Sequence, residues 1–387
     1  ITKAGMLGKM NKKILIINKY FYPGYKAGGP IQSLKNMCDA LQGYFDISVL
    51  TRDRDFLDKH SYRNIVPGVW SDVNSYKVFY VRDKGISKST IKRVVEETNP
   101  DLIYLSSFFD KISISAIQVA KEKSIPVVLA PRGEFSAGAL KIRKLKKMTF
   151  FKIADVIGLY ENVTYHSTNE FESKDIERVM GRVPVFISEN LVKSPLNKIH
   201  PKPYDEELWI AYVSRVTPKK NLLFFLEFLA KLFMNKKITF NIYGPIDDEK
   251  YWNKCSNAIA KLGNPLVKVI YHGAVSPNRF EEIYKQTHFS ILPTHGENFG
   301  HSIYESLAHG VPVIISDKTP WTGLEDKKAG FDANITDSDL DEIFIKIGEM
   351  RSDEYVNYCH GALRLADDYY KSLDVESITE NFTRLMK

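Results

Sequence analysis

The sequence predicts an α/β protein made of two doubly wound, Rossmann-like domains in tandem. Three observations carry this. Short β-rich runs alternate with helical patterns along the chain, the βαβα order of a parallel sheet. Several runs, such as Ile14-Leu15-Ile16-Ile17, are continuous rather than alternating, as expected of parallel strands covered on both faces. The alternation breaks once, at 190–204, and then restarts, and 387 residues is a natural length for two domains.

In the first half, strands are expected at 13–18, 47–51, 77–81, 102–105, 127–130, 163–167 and 185–188. Helical periodicity falls between them at 31–41, 89–98, 112–123 and 169–180. The stretch 190–204 holds Pro195, Pro201 and Pro203 with little periodicity and reads as a linker. Beyond it, strands are expected at 208–213, 238–243, 267–271, 289–292 and 311–316. The helices expected there are 222–235, 248–261, 279–286, 302–309, 338–351 and 353–372, with a last amphipathic helix at 375–386. The boundaries that follow are 10–190 for the first domain, 191–206 for the linker and 207–372 for the second domain. The terminal helix, 373–387, is expected to pack back on the first domain. Residues 1–9, ahead of a second start-like Met10, are read as an expression remnant.

Composition bounds the function. A 44% apolar and 26% charged chain is an ordinary globular one. No apolar run approaches the ~18 residues of a membrane span. The three cysteines, Cys38, Cys255 and Cys359, are far apart and form no metal-type cluster, so neither a disulfide framework nor a zinc site is expected. A reducing compartment follows. The run after Lys13 is too short for a signal-peptide core, so a cytoplasmic location is expected. The net charge of +7 is unevenly spread: residues 1–200 carry 32 Lys/Arg against 20 Asp/Glu, and residues 201–387 carry 22 against 27. Such asymmetry points to something anionic facing the first half, nucleic acid or an acidic membrane. No aromatic–basic RNA motif or recognition helix is evident, which argues against nucleic acid.

Three loops could carry chemistry. The first strand leads into Gly28-Gly29-Pro30. There a ligand could approach the backbone closely and meet amides near a helix N-terminus. An ordinary flexible βα turn is the competing reading. The second loop, Ser214 to Asn221, places Arg215 and Lys220 at the end of the first strand of the second half. A planar guanidinium fork and a point charge suit a diphosphate, although a solvated loop has the same look. The third is His295-Gly296-Glu297-Asn298-Phe299-Gly300-His301-Ser302-Ile303-Tyr304-Glu305. Glu297 sits on the loop, the amides of Asn298, Phe299 and Gly300 crowd a helix N-terminus that favours an anion, and Glu305 lies one turn inside. A carboxylate there can accept both hydrogens of a vicinal diol such as a ribose.

Two Glu eight positions apart, followed by Ser306-Leu307-Ala308-His309-Gly310-Val311-Pro312-Val313-Ile314, resemble the retaining nucleotide-sugar glycosyltransferases of family GT4. Arg215 and Lys220 are similar to that family's diphosphate-gripping pair, and Gly28-Gly29-Pro30 to its glycine-rich first loop. The resemblance extends over nearly the whole chain from Met10. It implies a GT-B fold, two Rossmann-like domains facing across a cleft, with the acceptor on the first domain and the donor on the second. It implies that Glu305 binds the donor ribose and Glu297 the hydroxyls of the transferred sugar. The amides of Asn298, Phe299 and Gly300 would contact sugar and phosphate. Gly244, at Tyr243-Gly244-Pro245, and Val275, in His272 to Ser276, would frame the base. Retention of configuration is implied, without a tightly bound metal or other cofactor, and with a UDP-sugar as the usual donor. Arg215 and Lys220 would stabilise the leaving diphosphate.

One departure stands out. Many family members have a His after the strand at 102–105, where this chain reads Ser106-Ser107-Phe108-Phe109-Asp110. The loop Pro131-Arg132-Gly133-Glu134 resembles one found in a subset of the family. It offers Arg132 and Glu134 as acceptor contacts or, equally, as a structural turn. His166 is a third acceptor-side candidate, though a strand-end histidine is more often structural. Lys141-Ile142-Arg143-Lys144-Leu145-Lys146-Lys147 would form a basic helix with apolar residues along one side. It would lie either on an anionic bilayer or in solvent. The expected function is therefore sugar transfer to a hydroxyl of a glycan or lipid-linked glycan in bacterial surface polysaccharide synthesis, at the inner face of the membrane. A sugar-nucleotide epimerase of the same fold is the alternative, disfavoured by the Glu297/Glu305 spacing with Arg215 and Lys220. A non-catalytic two-lobed sugar-binding protein is disfavoured by the missing signal peptide.

Overall fold

An apolar run with no polar interruption has both faces to bury, and β1 (Lys13–Ile17) does so: Ile14 and Ile16 point into one hydrophobic layer, Leu15 and Ile17 into another. The computed structural model describes residues 12–141, 144–204 and 206–386. The expected remnant 1–9 and Met10 lie outside the described residues, as do Ile142 and Arg143 of the basic run. The chain divides into two units. One comprises the described residues up to Gly24, Pro30–Leu191 and Leu373 onward; the other is Tyr25–Gly29 with Val192–Ser372.

In the first unit the strands are β1, β2 (Asp46–Arg52), β3 (Trp70–Val73), β4 (Tyr76–Val81), β5 (Leu102–Ser106), β6 (Val127–Ala130), β7 (Val163–Ser167) and β8 (Val185–Ile187). They form one sheet in the order β3-β4-β2-β1-β5-β6-β7-β8, parallel except for the β3–β4 hairpin. α1 (Gly29–Leu41) covers one face; α2 (Lys88–Thr98) and α3 (Lys111–Lys123) cover the other, with α5 (Lys144–Val156) and α6 (Glu170–Met180) after the short α4 (Ala137–Lys141). Side-chain caps start several helices: Ser87 accepts from the Thr90 amide, Asp110 from Ile112 and Asn169 from Glu172. The last helix, α13 (Val375–Leu385), lies against the α1 face, where Phe382 meets Phe45, Tyr104 and Phe186.

In the second unit β9 (Glu207–Val213), β10 (Lys237–Tyr243), β11 (Val267–Gly273), β12 (Phe289–Leu292), β13 (Val313–Ser316) and β14 (Gly330–Ala333) form a parallel sheet ordered β11-β10-β9-β12-β13-β14. Its helices are α7 (Leu222–Lys231), α8 (Glu249–Ala260), α9 (Phe280–Lys285), α10 (His301–Ala308), α11 (Asp337–Glu349) and α12 (Ser352–Ser372). β9 is followed outward by β10 and β11, then the chain crosses back to lay β12 on its other side. That reversal is a topological switch point, where doubly wound sheets take ligands beyond the carboxyl ends of the strands.

Three expectations need correction. The hairpin strand β3 arises where no element was expected, because Trp70 packs on Phe79 rather than marking itself by a run of apolar residues. β14 is a further unexpected strand: Gly330-Phe331-Asp332-Ala333 is short and mixed, and it pairs because β13 offers it a buried edge. Finally, the described part of the basic run does not lie wholly in solvent or on one outer face. Lys147 points inward, donating to the Ala139 carbonyl at 2.8 Å and lying over the Phe109 ring.

Candidate functional site

The switch point of the second unit gathers the loops after β9 and β12. After β9 the chain runs Ser214-Arg215-Val216-Thr217 into a single 3-10 turn, Pro218–Lys220. The Lys220 ammonium comes to 2.6 Å from Glu297 Oε1, and both side chains are largely buried. Thr294 ties the arrangement: its hydroxyl reaches both Glu297 Oε1 (2.9 Å) and the Lys219 carbonyl (3.1 Å), while the His295 amide donates to the same carbonyl. Burial pulls the Lys220 pKa below the ordinary lysine value, and Arg215 and Lys219 add to that; Glu297 opposes them.

Arg215 donates to Asp247 Oδ2 at 2.8 Å. Asp247 is placed by a backbone ladder in which Val216 bonds Pro245, Asp247 bonds Val216 and Ser214 bonds Tyr243. Gly244 permits this approach. Its φ is +149°, and a Cβ there would stand 1.8 Å from the Ser214 carbonyl oxygen. Gly28 and Gly29, which belong with the second unit, lie here too: Gly28 is beside the Arg215 guanidinium and Gly29 is packed on the His301 ring.

The loop Gly296–Gly300 leads into α10 with Gly300 as its N-cap, at φ +84°. Asn298 is half-buried. Phe299 is turned into an aromatic cluster with Trp321, Tyr304 and Tyr369, and its carbonyl accepts from the Trp321 indole at 2.6 Å. One turn in, Glu305 is partly buried. Burial raises its pKa to about 7, partly offset by Lys193. Among the described residues no group donates to that carboxylate. A buried carboxylate with open lone pairs is costly unless something fills them. On the neighbouring strand ends, Tyr243 stacks on His272 at 4.4 Å between ring centres, and His272 Nε2 meets Asn241 Oδ1 at 2.7 Å. Val275 is partly buried on the loop after β11.

The three acceptor-side candidates belong to the first unit, and their polar atoms are engaged there except the Arg132 Nε, which is buried without a partner. Glu134 accepts from the Ser107 hydroxyl (2.7 Å) and from the Phe108 and Phe109 amides, so its carboxylate shapes the loop that lacks the family His. Arg132, at φ +52°, donates to Asn190 Oδ1 (2.7 Å) and the Tyr104 hydroxyl (2.9 Å). His166 is fully buried between the Tyr104 hydroxyl and the Ser188 carbonyl, and burial pulls its pKa down to about 3. These hydrogen bonds accord with the structural alternative that the sequence leaves open for Glu134 and His166. Sequence reading missed Asp247, Thr294, Lys193 and Trp321. Asp247 had a signal, an acid just past a strand-end Gly-Pro; the others had none. No group of three His, Cys, Asp or Glu among the described residues could hold a metal ion.

Residues 195–330 match the family model for glycosyl transferases group 1. No curated protein matches the chain. Among solved structures, HepE from Anabaena in complex with UDP and glucose superposes with a TM-score of 0.68 at 15% identity, covering 97% of this chain and 99% of that one. Sucrose-phosphate synthase from Thermosynechococcus elongatus gives 0.69 at 15%, over 97% and 98%. The UDP-forming α,α-trehalose-phosphate synthase from Burkholderia xenovorans with glucose-6-phosphate gives 0.68 at 10%, over 97% and 100%. At such identities the likeness is one of fold. The fold is that of the GT-B glycosyltransferases, and with the matched segment it supports glycosyltransferase as the enzyme class.

Proposed function

We propose that the chain is a retaining glycosyltransferase of the GT4 type. It would transfer a sugar from a nucleotide-sugar donor, with UDP as the base-bearing part, to a hydroxyl of a glycan or lipid-linked glycan. The observation that carries this is the pair Glu297 and Glu305 at the switch point. One is neutralised by Lys220; the other is partly buried and open to a diol. HepE, of like fold, is described with UDP, and the trehalose-phosphate synthase as UDP-forming, which supports UDP.

In the proposed reaction, the bond from the anomeric carbon to the diphosphate oxygen breaks. The acceptor oxygen bonds that carbon on the same face, and its proton passes to the departing diphosphate. Arg215 and Lys220 stabilise the charge that develops there. Glu305 holds the ribose, Glu297 orients the sugar and Lys220, and Gly244 and Val275 flank the base. No metal or other cofactor is called for by this scheme. We place the reaction in surface polysaccharide synthesis, on the cytoplasmic face of an anionic membrane. Thermal shift with UDP, other nucleoside diphosphates and their sugars tests the reading. UDP should raise the melting temperature by mass action, and Glu305→Ala should abolish the rise. No stabilisation by any nucleotide overturns it.

A further inference from the structure

The carboxyl ends of three neighbouring strands of the first unit, β1, β2 and β4, hold a group of side chains that the sugar-transfer scheme does not use. Tyr20, just beyond β1, stands at its centre. Arg52, the last residue of β2, donates from Nη1 to the Tyr20 hydroxyl at 3.1 Å, and its guanidinium lies 5.3 Å from the ring centre. The Lys19 ammonium lies 5.4 Å from the same ring centre. Phe56, on the loop after β2, meets the Tyr20 ring edge-on. Asp83, beyond β4, pairs with Arg52 through Nη2. Lys19 has no acidic partner among the described residues. The acids of the loop after β2 are engaged: Asp53 pairs with Arg54 at 2.9 Å, and Asp55 accepts from the Phe56 amide at 2.7 Å. Arg52 itself is incompletely satisfied. Its side chain is largely buried, and its Nε is buried without a partner.

We infer that Lys19, Arg52 and Tyr20 form an acceptor subsite for an acidic saccharide, one whose carboxylate or phosphate sits between the two cations while its ring lies against Tyr20 and Phe56. A buried donor left open is costly, and two cations drawn to one ring repel each other. An oxyanion between them removes both costs. The guanidinium fork suits its geometry, and the ammonium adds a point charge. The aromatic pair supplies the apolar surface that the C–H face of a pyranose covers. A neutral glycan would leave the Arg52 donor and the Lys19 charge unanswered. The position fits as well, because doubly wound sheets take ligands beyond the carboxyl ends of their strands. This inference rests on the reading of the first unit as the acceptor side, and deepens it by naming the charge of the acceptor.

The test is titration calorimetry of the full chain with methyl glucuronide, methyl glucoside and inorganic phosphate, with UDP present in excess so that phosphate cannot enter a donor site. The glucuronide should bind about tenfold or more tighter than the glucoside, and its binding should weaken with salt. Lys19→Gln and Arg52→Gln should each lower the affinity for glucuronide and for phosphate about tenfold, and Lys19→Arg should keep it. Tyr20→Leu should weaken the glucuronide and spare phosphate. Preference for the glucuronide over phosphate assigns a uronate-bearing acceptor, and the reverse a phosphorylated one; either supports the subsite. Failure of both anions to bind, equal affinity for glucuronide and glucoside, or full anion binding by both Gln variants overturns the inference. The variants should keep the wild-type rise in melting temperature with UDP. That rise separates the two readings: a chain that UDP stabilises but that does not discriminate the anions loses the subsite alone, whereas a chain that no nucleotide stabilises loses the enzyme reading.

Discussion

Glu305 carries the most consequential electrostatics of the molecule. A carboxyl whose pKa rises from 4.5 to about 7 on folding binds its proton more tightly folded than unfolded. Its contribution is therefore neutral below about pH 4.5 and increasingly destabilising as pH rises toward 7, by a few kcal/mol at most. Glu305→Gln should raise the melting temperature at pH 8 and change little at pH 4.5, as calorimetry would show. Diol binding has the opposite sign, because the ionised form is the better acceptor. UDP affinity should improve about tenfold from pH 6 to pH 8 beyond the change that UDP's own ionisation gives the Gln variant. A wild-type profile that matches Glu305→Gln in titration calorimetry would refute the assigned role. Lys220 differs, since its partner is already present. Lys220→Ala strands Glu297 in a buried site, a loss of about 3–5 kcal/mol of stability. Turnover should fall on the order of a hundredfold or more, beyond any loss of donor affinity. Asp247→Asn keeps the shape but removes the charge that aims Arg215. It should raise KM for the donor severalfold and leave the fold intact by circular dichroism.

The strand ends show why elements, and not residues alone, make the site. Gly244→Ala would force Cβ into the Ser214–Arg215 backbone, where nothing flexible can yield. It should cost more than about 2 kcal/mol in denaturant unfolding and displace Arg215. Gly300→Ala also meets a positive φ, but its clash is with the tip of Ile303, so about 1–2 kcal/mol is expected. The strand–loop–helix frames around Arg215 and Glu297 were legible because buried parallel strands are written as continuous apolar runs, and the loops after them are short. β3 and β14 were not, because an edge strand of four residues takes its conformation from the neighbour it pairs with. The same limit applies to Phe299. Its expected ligand contact is through the backbone amide, and nothing local announces that Trp321 and Tyr369, distant in sequence, take its ring into the core. Glu134 and His166 were ambiguous for a related reason: titratable groups at strand ends serve loops as readily as ligands, and only their partners tell which.

At the scale of the chain, α13 closes the first unit from the far end of the sequence. The chain leaves the second unit at Ser372 and joins the first from Leu373. Ile378, Phe382 and Met386 are buried there in the layer formed by β1, α1 and their neighbours. Local pattern announces an amphipathic helix but says nothing of which sheet it covers; only the hydrophobic layer that would otherwise lie open answers that. Phe382 touches Phe45, Tyr104 and Phe186, from three separate elements or their flanks. Phe382→Ala should therefore destabilise the first unit by about 3–5 kcal/mol, and ending the chain at Ser372 should destabilise it further. Scanning calorimetry with and without UDP separates the outcomes. If the units unfold independently, Phe382→Ala lowers the nucleotide-insensitive transition and leaves the UDP-shifted one in place. If both transitions fall together, the two units unfold cooperatively and α13 stabilises the molecule as a whole.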